Sequence, residues 1–161
     1  MTTTSAGERR RPWLPPRWFV RLAWITHRAI HRLTGGRRGL KSARPGVEGY
    51  LRLRTIGRRS GRERAAILSY FEDGPNLVTM AMNGWADPEP AWWLNLLAHP
   101  EAIVDLKGGE TRRVRARAAE GPERDRLWAL LDQHNGWGSG IDGYADRRSR
   151  PTAVVVLGPV G

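Results

Sequence analysis

Thr55-Ile-Gly-Arg-Arg-Ser-Gly-Arg-Glu-Arg64 separates two strand-like runs, residues 50–55 and 64–71, and joins them as a β-hairpin. Gly57 and Gly61 bracket Arg58, Arg59 and Ser60, and Arg62 and Arg64 follow. Glycines let a backbone turn tightly and bring its N–H groups close to a ligand. Arginines add planar, permanently charged forks that fit phosphate and carboxylate. The loop reads as an anion clamp at the mouth of a hairpin. An ordinary solvated turn rich in arginine has the same residue types, and the loop alone leaves both readings open.

Outward from this hairpin the chain alternates strands and turns. Glu72-Asp73-Gly74-Pro75-Asn76 is a turn signal. Residues 77–82 form the next strand, and their continuous apolar character suggests burial on both faces. After a loop at 83–89, Pro90 suits the first turn of a helix reaching Ala98, which His99-Pro100 ends. Residues 101–106 and 111–119 make a second hairpin around Lys107-Gly108-Gly109. Residues 122–134 read as an amphipathic helix with Leu127, Leu130 and Leu131 on its inner side, residues 135–143 as Gly-rich and irregular, and residues 153–157 as a last β-branched strand. Strands with one inserted and one late helix predict a mainly antiparallel β fold, a small barrel with peripheral helices. There is no βαβ alternation and no dinucleotide fingerprint.

The 161 residues suit one domain with a real core and an added N-terminal element. Net charge is +11, from 27 basic and 16 acidic residues, and every basic residue except Lys41 and Lys107 is arginine. Such a charge favours nucleic acid, an anionic membrane or a polyanionic small molecule. The absence of cysteine excludes disulfides and thiol chemistry. His27 and His31 stand four apart with no acidic third ligand nearby, so no metal is expected.

The expected organisation is a disordered tail at 1–12, an amphipathic helix with its linker at 13–40, and a barrel at 41–161. Trp18, Leu22, Ile25, Ala29 and Leu33 share one face of that helix, and Arg17, Arg21, Arg28 and Arg32 form a stripe beside it. The segment is too short and too charged to span a membrane, and it lacks the apolar core of a signal peptide. Its tryptophans and arginines suit an interfacial membrane helix. The favoured reading is a helix packed on its own domain, with long Arg stems covering apolar surface.

From Leu51 to Pro159 the chain resembles the deazaflavin-dependent nitroreductase family, small split β-barrel proteins that bind coenzyme F420. Four segments carry the resemblance: Leu53-Arg-Thr-Ile-Gly-Arg-Arg-Ser-Gly61; Tyr70-Phe-Glu-Asp-Gly74 with the apolar strand after it; Pro90-Ala-Trp-Trp-Leu-Asn-Leu-Leu-Ala-His-Pro100; and the late helix followed by Asp146-Arg-Arg-Ser-Arg-Pro151 and a Val-rich strand. The resemblance implies that Arg58, Arg59 and Ser60 hold the phosphate and acidic tail of the cofactor. It implies that the strand Arg64, Ala65, Ala66, Ile67, Leu68 and Ser69 runs beside the deazaflavin. Met80, Ala81, Met82 and Asn83 would touch the ring edge. Ala91, Trp92, Trp93, Leu94 and Asn95 would begin the helix whose N-terminus faces the ligand. Trp92 and Trp93 point about 100° apart on a helix, so one is expected in the core and the other near the ligand. Trp137 would lie near the ring. The chain departs from the family in having Met82-Asn-Gly-Trp85 where relatives often have Ser-Lys-Gly-Gly, Ile67-Leu-Ser69 where they have Pro-Leu-Tyr, and only Tyr144 among the late tyrosines of some relatives.

The implied activity is transfer of a hydride from reduced deazaflavin to a planar, electron-poor acceptor such as a quinone, nitroaromatic or enone, with the cofactor carrying the redox chemistry. Tyr144 is the candidate catalytic residue, as hydrogen-bond partner or proton donor to the product; a surface-loop tyrosine is its competing reading. The rival cofactor is FMN, whose phosphate would suit the same clamp. A basic barrel binding single-stranded nucleic acid is the least favoured alternative, because the tryptophans gather in a helix and near the N-terminus instead of alternating along strands. The cytoplasm is the expected location, with peripheral contact at the inner face of the cell membrane as a further option. Oligomeric state and the natural acceptor do not follow from the residues.

Overall fold

Six antiparallel strands close into a barrel in the computed structural model of the chain, which describes residues 39–134 and 140–161 together with Trp18 and Leu22. They are β1 (Gly49–Ile56), β2 (Glu63–Asp73), β3 (Asn76–Met80), β4 (Glu101–Asp105), β5 (Thr111–Ala118) and β6 (Val154–Pro159). Around the barrel the order is β1-β2-β3-β6-β5-β4, and β4 pairs back onto β1 through Arg52↔Asp105, Leu53↔Val104 and Arg54↔Ile103. The last strand thus enters between β3 and β5, and each strand of the barrel has a neighbour on both sides. Outside the strands lie α1 (Ala91–Ala98), α2 (Gly121–His134) and α3 (Ile141–Ala145). The expected antiparallel barrel with peripheral helices is the observed fold.

Alternation sorts the side chains. Leu51 and Leu53 of β1 and Val114 and Ala116 of β5 enter the barrel, while Arg113, Arg115 and Arg117 of β5 stay exposed. β3 and β6 depart from this pattern, and their neighbours explain why. Leu77, Val155 and Leu157 join the interior cluster. Val78, Met80, Val154 and Val156 join a second cluster on the outer face, with Leu127 and Leu131 of α2 and Ile141 of α3. Both faces of these strands are covered, so their apolar runs are continuous. Leu130 is only partly buried at the border of the second cluster.

Several boundaries differ from expectation. β3 stops at Met80 because the Met82 amide turns back to Met80 O at 2.9 Å. The Gly-rich stretch hides α3, whose first amides are supplied with an acceptor from another element: Asp132 Oδ1 of α2 accepts from Gly140 N at 2.9 Å and Ile141 N at 2.7 Å. The end of the expected linker is pinned, since Lys41 bridges Tyr50 and the Ala43 amide donates to the Tyr70 hydroxyl at 3.2 Å. A Cβ on Gly49 would stand 2.5 Å from Ala43 N, so that close crossing requires glycine there. Of the N-terminal helix, Trp18 and Leu22 are described; both are helical, and they are 67% and 53% exposed. The tail at 1–12, the remaining residues of that helix and the His27–His31 pair lie outside the described residues. No helix among the described residues is long and apolar enough to cross a membrane.

α2 is fastened to the barrel at its rim by charge as well as apolar contact. Arg126 forks onto Asp73 at 2.8 and 2.9 Å, and Arg117 forks onto Glu123 at 2.6 and 2.7 Å. The hydrogen bonds from Arg126 hold the Asp73 carboxyl below its ordinary range. A lowered folded-state value means the pair stabilises the fold above the ordinary carboxylate range and stops doing so as pH falls through the lowered value. Asp73→Asn should therefore cost about 0.2–1 kcal/mol at neutral pH, and the gap to the unmodified protein should close in acid; urea unfolding at the two pH values measures both.

Candidate active site

The turn from β1 to β2 is built by glycine and closed by its own amides. Gly57 N–H donates to Arg62 O at 2.8 Å, while Ser60 N–H and Gly61 N–H donate to Gly57 O at 3.2 and 2.8 Å. A Cβ on Gly57 would fall 2.8 Å from Ser60 Oγ, and Gly61 has φ +63°, so both positions favour glycine. The Arg62 amide and Arg64 Nη2 both donate to Ser60 Oγ, at 3.4 and 3.5 Å. The Arg58 amide donates to Asn95 Oδ1 at 3.1 Å. The expectation that backbone N–H groups line a ligand is corrected here: these amides serve the loop itself, and Ser60 shapes the turn. What the loop presents outward is guanidinium.

That guanidinium is available. Arg58, Arg59, Arg62 and Arg64 are exposed, and none of them makes an ion pair among the described residues. The arginines of β1 and β5 behave differently. Arg52 and Arg54 meet Asp105, Arg113 and Arg115 meet Glu101, and Arg112 meets Glu110. Two of the loop groups touch neighbours, Arg58 Nη1 donating to Asn95 Oδ1 and Arg64 Nη2 to Ser60 Oγ, both at 3.5 Å, and none of the four is neutralised by a carboxylate among the described residues.

α1 sets where the clamp stands. Asn95 is 4% exposed. Its Oδ1 accepts from the Arg58 amide, and its Nδ2 donates to Thr55 Oγ1 at 3.2 Å. Thr55 Oγ1 in turn lies 3.5 Å from Arg64 O, to which it donates. Asn95 thus ties the helix to the hairpin as a positioning residue and has little surface left for a ligand. Pro90 caps the helix with no side-chain bond, and the amides at Ala91 and Trp92 precede the first intrahelical donor, Trp93 N to Pro90 O at 3.0 Å. The expected split of the two tryptophans is corrected: Trp92 and Trp93 are 9% and 6% exposed, meet edge to face at 6.3 Å, and both belong to the interior cluster. The buried arc of α1 takes in Trp92, Trp93, Asn95 and Leu96, wide enough to hold neighbours 100° apart. Ala91 is exposed and Leu94 half-buried.

Strand alternation divides the remaining expected contacts. On β2, Leu68 belongs to the interior cluster and Ala66 packs against it. Ala65, Ile67 and Ser69 occupy the opposite face, with Ala65 exposed, Ser69 half-buried and Ile67 buried. At the end of β3, Met80 lies in the outer cluster, Ala81 in the interior one, Met82 against the outer cluster, and Asn83 is exposed. Trp137 lies outside the described residues. Tyr144, on α3, is half-buried and stacks on Trp85 with centroids 5.8 Å apart and planes 22° apart.

The structure adds residues that sequence reasoning missed. Trp85 is 2% exposed, has φ +60°, and its indole N–H has no partner among the described residues. The Arg148 side chain is wholly buried and paired with Glu89, Nη2 to Oε2 3.2 Å. Asp87 accepts from Ser149 N at 2.6 Å and Ser149 Oγ at 2.8 Å, which holds its carboxyl below the ordinary range. Nothing in the run Arg147-Arg148-Ser149-Arg150 distinguishes the buried arginine from its neighbours. A cleft of about 490 Å³ is lined by Arg124 and Trp128 of α2 and by residues of the 142–152 segment, and none of the expected cofactor contacts lines it.

The Asn95 tie makes a direct prediction. Asn95→Ala leaves the Arg58 amide without its acceptor and Thr55 Oγ1 without its donor. It should destabilise the fold by about 1–3 kcal/mol in denaturant unfolding, and hydrogen exchange of the Arg58 amide should quicken more than that of Leu53 in β1.

Comparison with known proteins agrees with this geometry. The family model described as F420H(2)-dependent quinone reductase matches residues 24–159, beginning earlier than the sequence resemblance. A curated relative from Mycobacterium tuberculosis, named as an F420H(2)-dependent quinone reductase, is 33% identical over 147 residues, covering 88% of this chain and 95% of its own length. Among solved structures, one titled as an F420-H2 dependent reductase aligns with TM-score 0.59 and 24% identity over 73% of this chain and 96% of its own. Another, titled as a domain-swapped dimer, aligns with TM-score 0.62 and 22% identity over 85% of this chain and 98% of its own. At those identities the two structures speak for the fold alone. On the family match and the curated relative, with the barrel and its clamp behind them, this chain belongs to the coenzyme F420-dependent quinone reductase family.

Proposed function

We propose that this chain reduces a planar, electron-poor acceptor of the quinone class with a hydride from reduced coenzyme F420. The observation that carries the reading is the set of exposed arginines at 58, 59, 62 and 64, outside every ion pair among the described residues, on a loop tied to α1 by Asn95. Arg58 and Arg59 hold the anionic phosphate and tail. The outward face of β2, at Ala65, Ile67 and Ser69, offers one side of a flat ring a wall of small and apolar groups. Residues 81–83 border its edge, and the free amides at Ala91 and Trp92 favour negative charge beside them. Bound there, the reduced deazaflavin supplies the hydride. Reduction of a quinone to the hydroquinone takes one hydride and one proton, and our candidate to give a hydrogen bond or that proton to the acceptor oxygen is Tyr144, whose ring stacks on Trp85. Apolar walls exclude water and hold the acceptor in line.

Arg58→Ala with Arg59→Ala should weaken deazaflavin binding by about 2–4 kcal/mol. Circular dichroism should be unchanged, because the backbone amide of Arg58 keeps its 3.1 Å bond to Asn95 Oδ1 when the longer 3.5 Å bond from the guanidinium is lost. Menadione turnover should require added reduced deazaflavin, and NADPH alone should not support it. Unaltered affinity in the double variant, or equal turnover with NADPH, would remove the proposal.

We propose further that the N-terminal helix meets an anionic membrane at the inner face of the cell membrane. Trp18 and Leu22 stand one turn apart and are exposed, and a quinone acceptor resides in lipid. The full chain should bind vesicles containing anionic lipid, less so as salt rises. Trp18→Ser with Leu22→Ser should weaken that binding and leave deazaflavin affinity intact. Absence of binding to such vesicles at low salt would end the membrane reading.

A further inference from the structure

Residues 81–89, between β3 and α1, are gripped near both ends and strained in the middle. Arg148 Nη1 donates to Ala81 O at 3.2 Å and to Thr152 Oγ1 at 2.8 Å. Its Nη2 donates to Asp87 O at 3.4 Å and pairs with Glu89 Oε2 at 3.2 Å. Ser149 adds its amide and hydroxyl to the Asp87 carboxylate. Midway, Gly84 and Trp85 have φ +58° and +60°, a region a bulky side chain rarely adopts. The buried Trp85 ring meets Tyr144 at that point. Tyr144 is bound to the same segment as Arg148, through Arg147 N to Tyr144 O at 3.2 Å and Arg148 N to Ala145 O at 3.0 Å.

We infer that Arg148 is a positioning residue for the acceptor half of the site, holding residues 81–89 against Tyr144 in one geometry. The inference rests on the function proposed above, in which residues 81–83 border the ring and Tyr144 meets the acceptor. A buried ion pair is a poor device for stability alone, since apolar residues of the same volume do as well. A fork reaching acceptors at residues 81, 87 and 152, with Glu89 as its counter-charge, fixes how those positions stand to one another. Only guanidinium can do so, because a lysine ammonium is a single point. The strained conformation at Trp85 persists because its flanks are held, as strain does when the surroundings over-determine it. If the hold is released, Trp85 can relax its backbone and leave the Tyr144 ring.

The test uses the full chain with Arg148→Lys, Tyr144→Phe and the two combined. Glu89→Gln, which removes the counter-charge of Arg148 and leaves its backbone acceptors, serves as a milder release should the lysine variant fold poorly. Melting temperature, deazaflavin affinity by fluorescence, menadione kinetics and hydrogen exchange are measured on each. Arg148→Lys should keep deazaflavin affinity, which the clamp dominates, and lower kcat/KM for menadione by about 10- to 100-fold through misplacement. Exchange should quicken at both 81–89 and 141–149. Tyr144→Phe should cost less in the Arg148→Lys background than alone, because the ring is already displaced. A lysine variant with an ordinary kcat/KM at temperatures below its melting point, or full additivity of the two changes, overturns the inference. If the unmodified protein neither binds deazaflavin nor turns over, the proposed function fails by itself. Exchange then decides the positioning role: unchanged exchange in both segments overturns it, and coupled quickening supports it.

Discussion

The Asn95 carboxamide accepts from the Arg58 amide, donates to Thr55, and through Thr55 reaches the backbone of Arg64. One buried side chain therefore joins α1 to both strands of the hairpin that carries the clamp. The arrangement is stringent because a buried amide left half-satisfied costs more than the bond is worth when made. Gly57 and Gly61 give the loop its shape, but they do not say where the loop stands. Asn95 does, and it sits one turn from the helix N-terminus that completes the other side of the proposed cofactor site. The far end of the same helix entry is held by Glu89 on Arg148. α1 is thus the piece between the anion clamp and the Trp85–Tyr144 stack, and the relation of the two halves depends on it.

Charge is distributed with the same economy. The chain carries +11, yet the arginines of β1 and β5 are occupied with neighbouring carboxylates at the barrel rim and outer face. The 58–64 loop keeps four guanidinium groups out of such pairs. A net charge by itself points equally to nucleic acid, membrane or a small polyanion. Four guanidinium groups on one loop concentrate positive charge locally, and the proposed function sets them against a phosphorylated cofactor with an acidic tail.

Much of this was legible in the residues. The strand positions follow from period-2 alternation on β1 and β5 and from turn chemistry at Gly74 and Gly108. The continuous apolar run of β3 announced burial on both faces. The clamp was visible because glycine and arginine are distinctive in that spacing. The ends of elements were less so. α3 escaped because its cap comes from Asp132, on another helix. Sequence gives residue type without direction, so the bonds that Ser60 makes to Arg62 and Arg64 and the buried tie of Asn95 to the loop were not visible in it.

Sequence by itself determined the barrel, the hairpin carrying the clamp, the helix beginning after Pro90 and the family motifs, because these rest on local periodicity, turn chemistry and short-range spacing. Tertiary structure alone decided which arginines are free and which are paired, and that Trp92 and Trp93 both enter the core. It alone revealed Arg148 as the buried one in a run of arginines and Trp85 as the partner of Tyr144. Those outcomes depend on contacts between residues about sixty positions apart, such as Arg148 with Ala81 and Asp87. No local pattern records such a contact, since burial and pairing belong to the assembled surface and not to the residue that takes part in it.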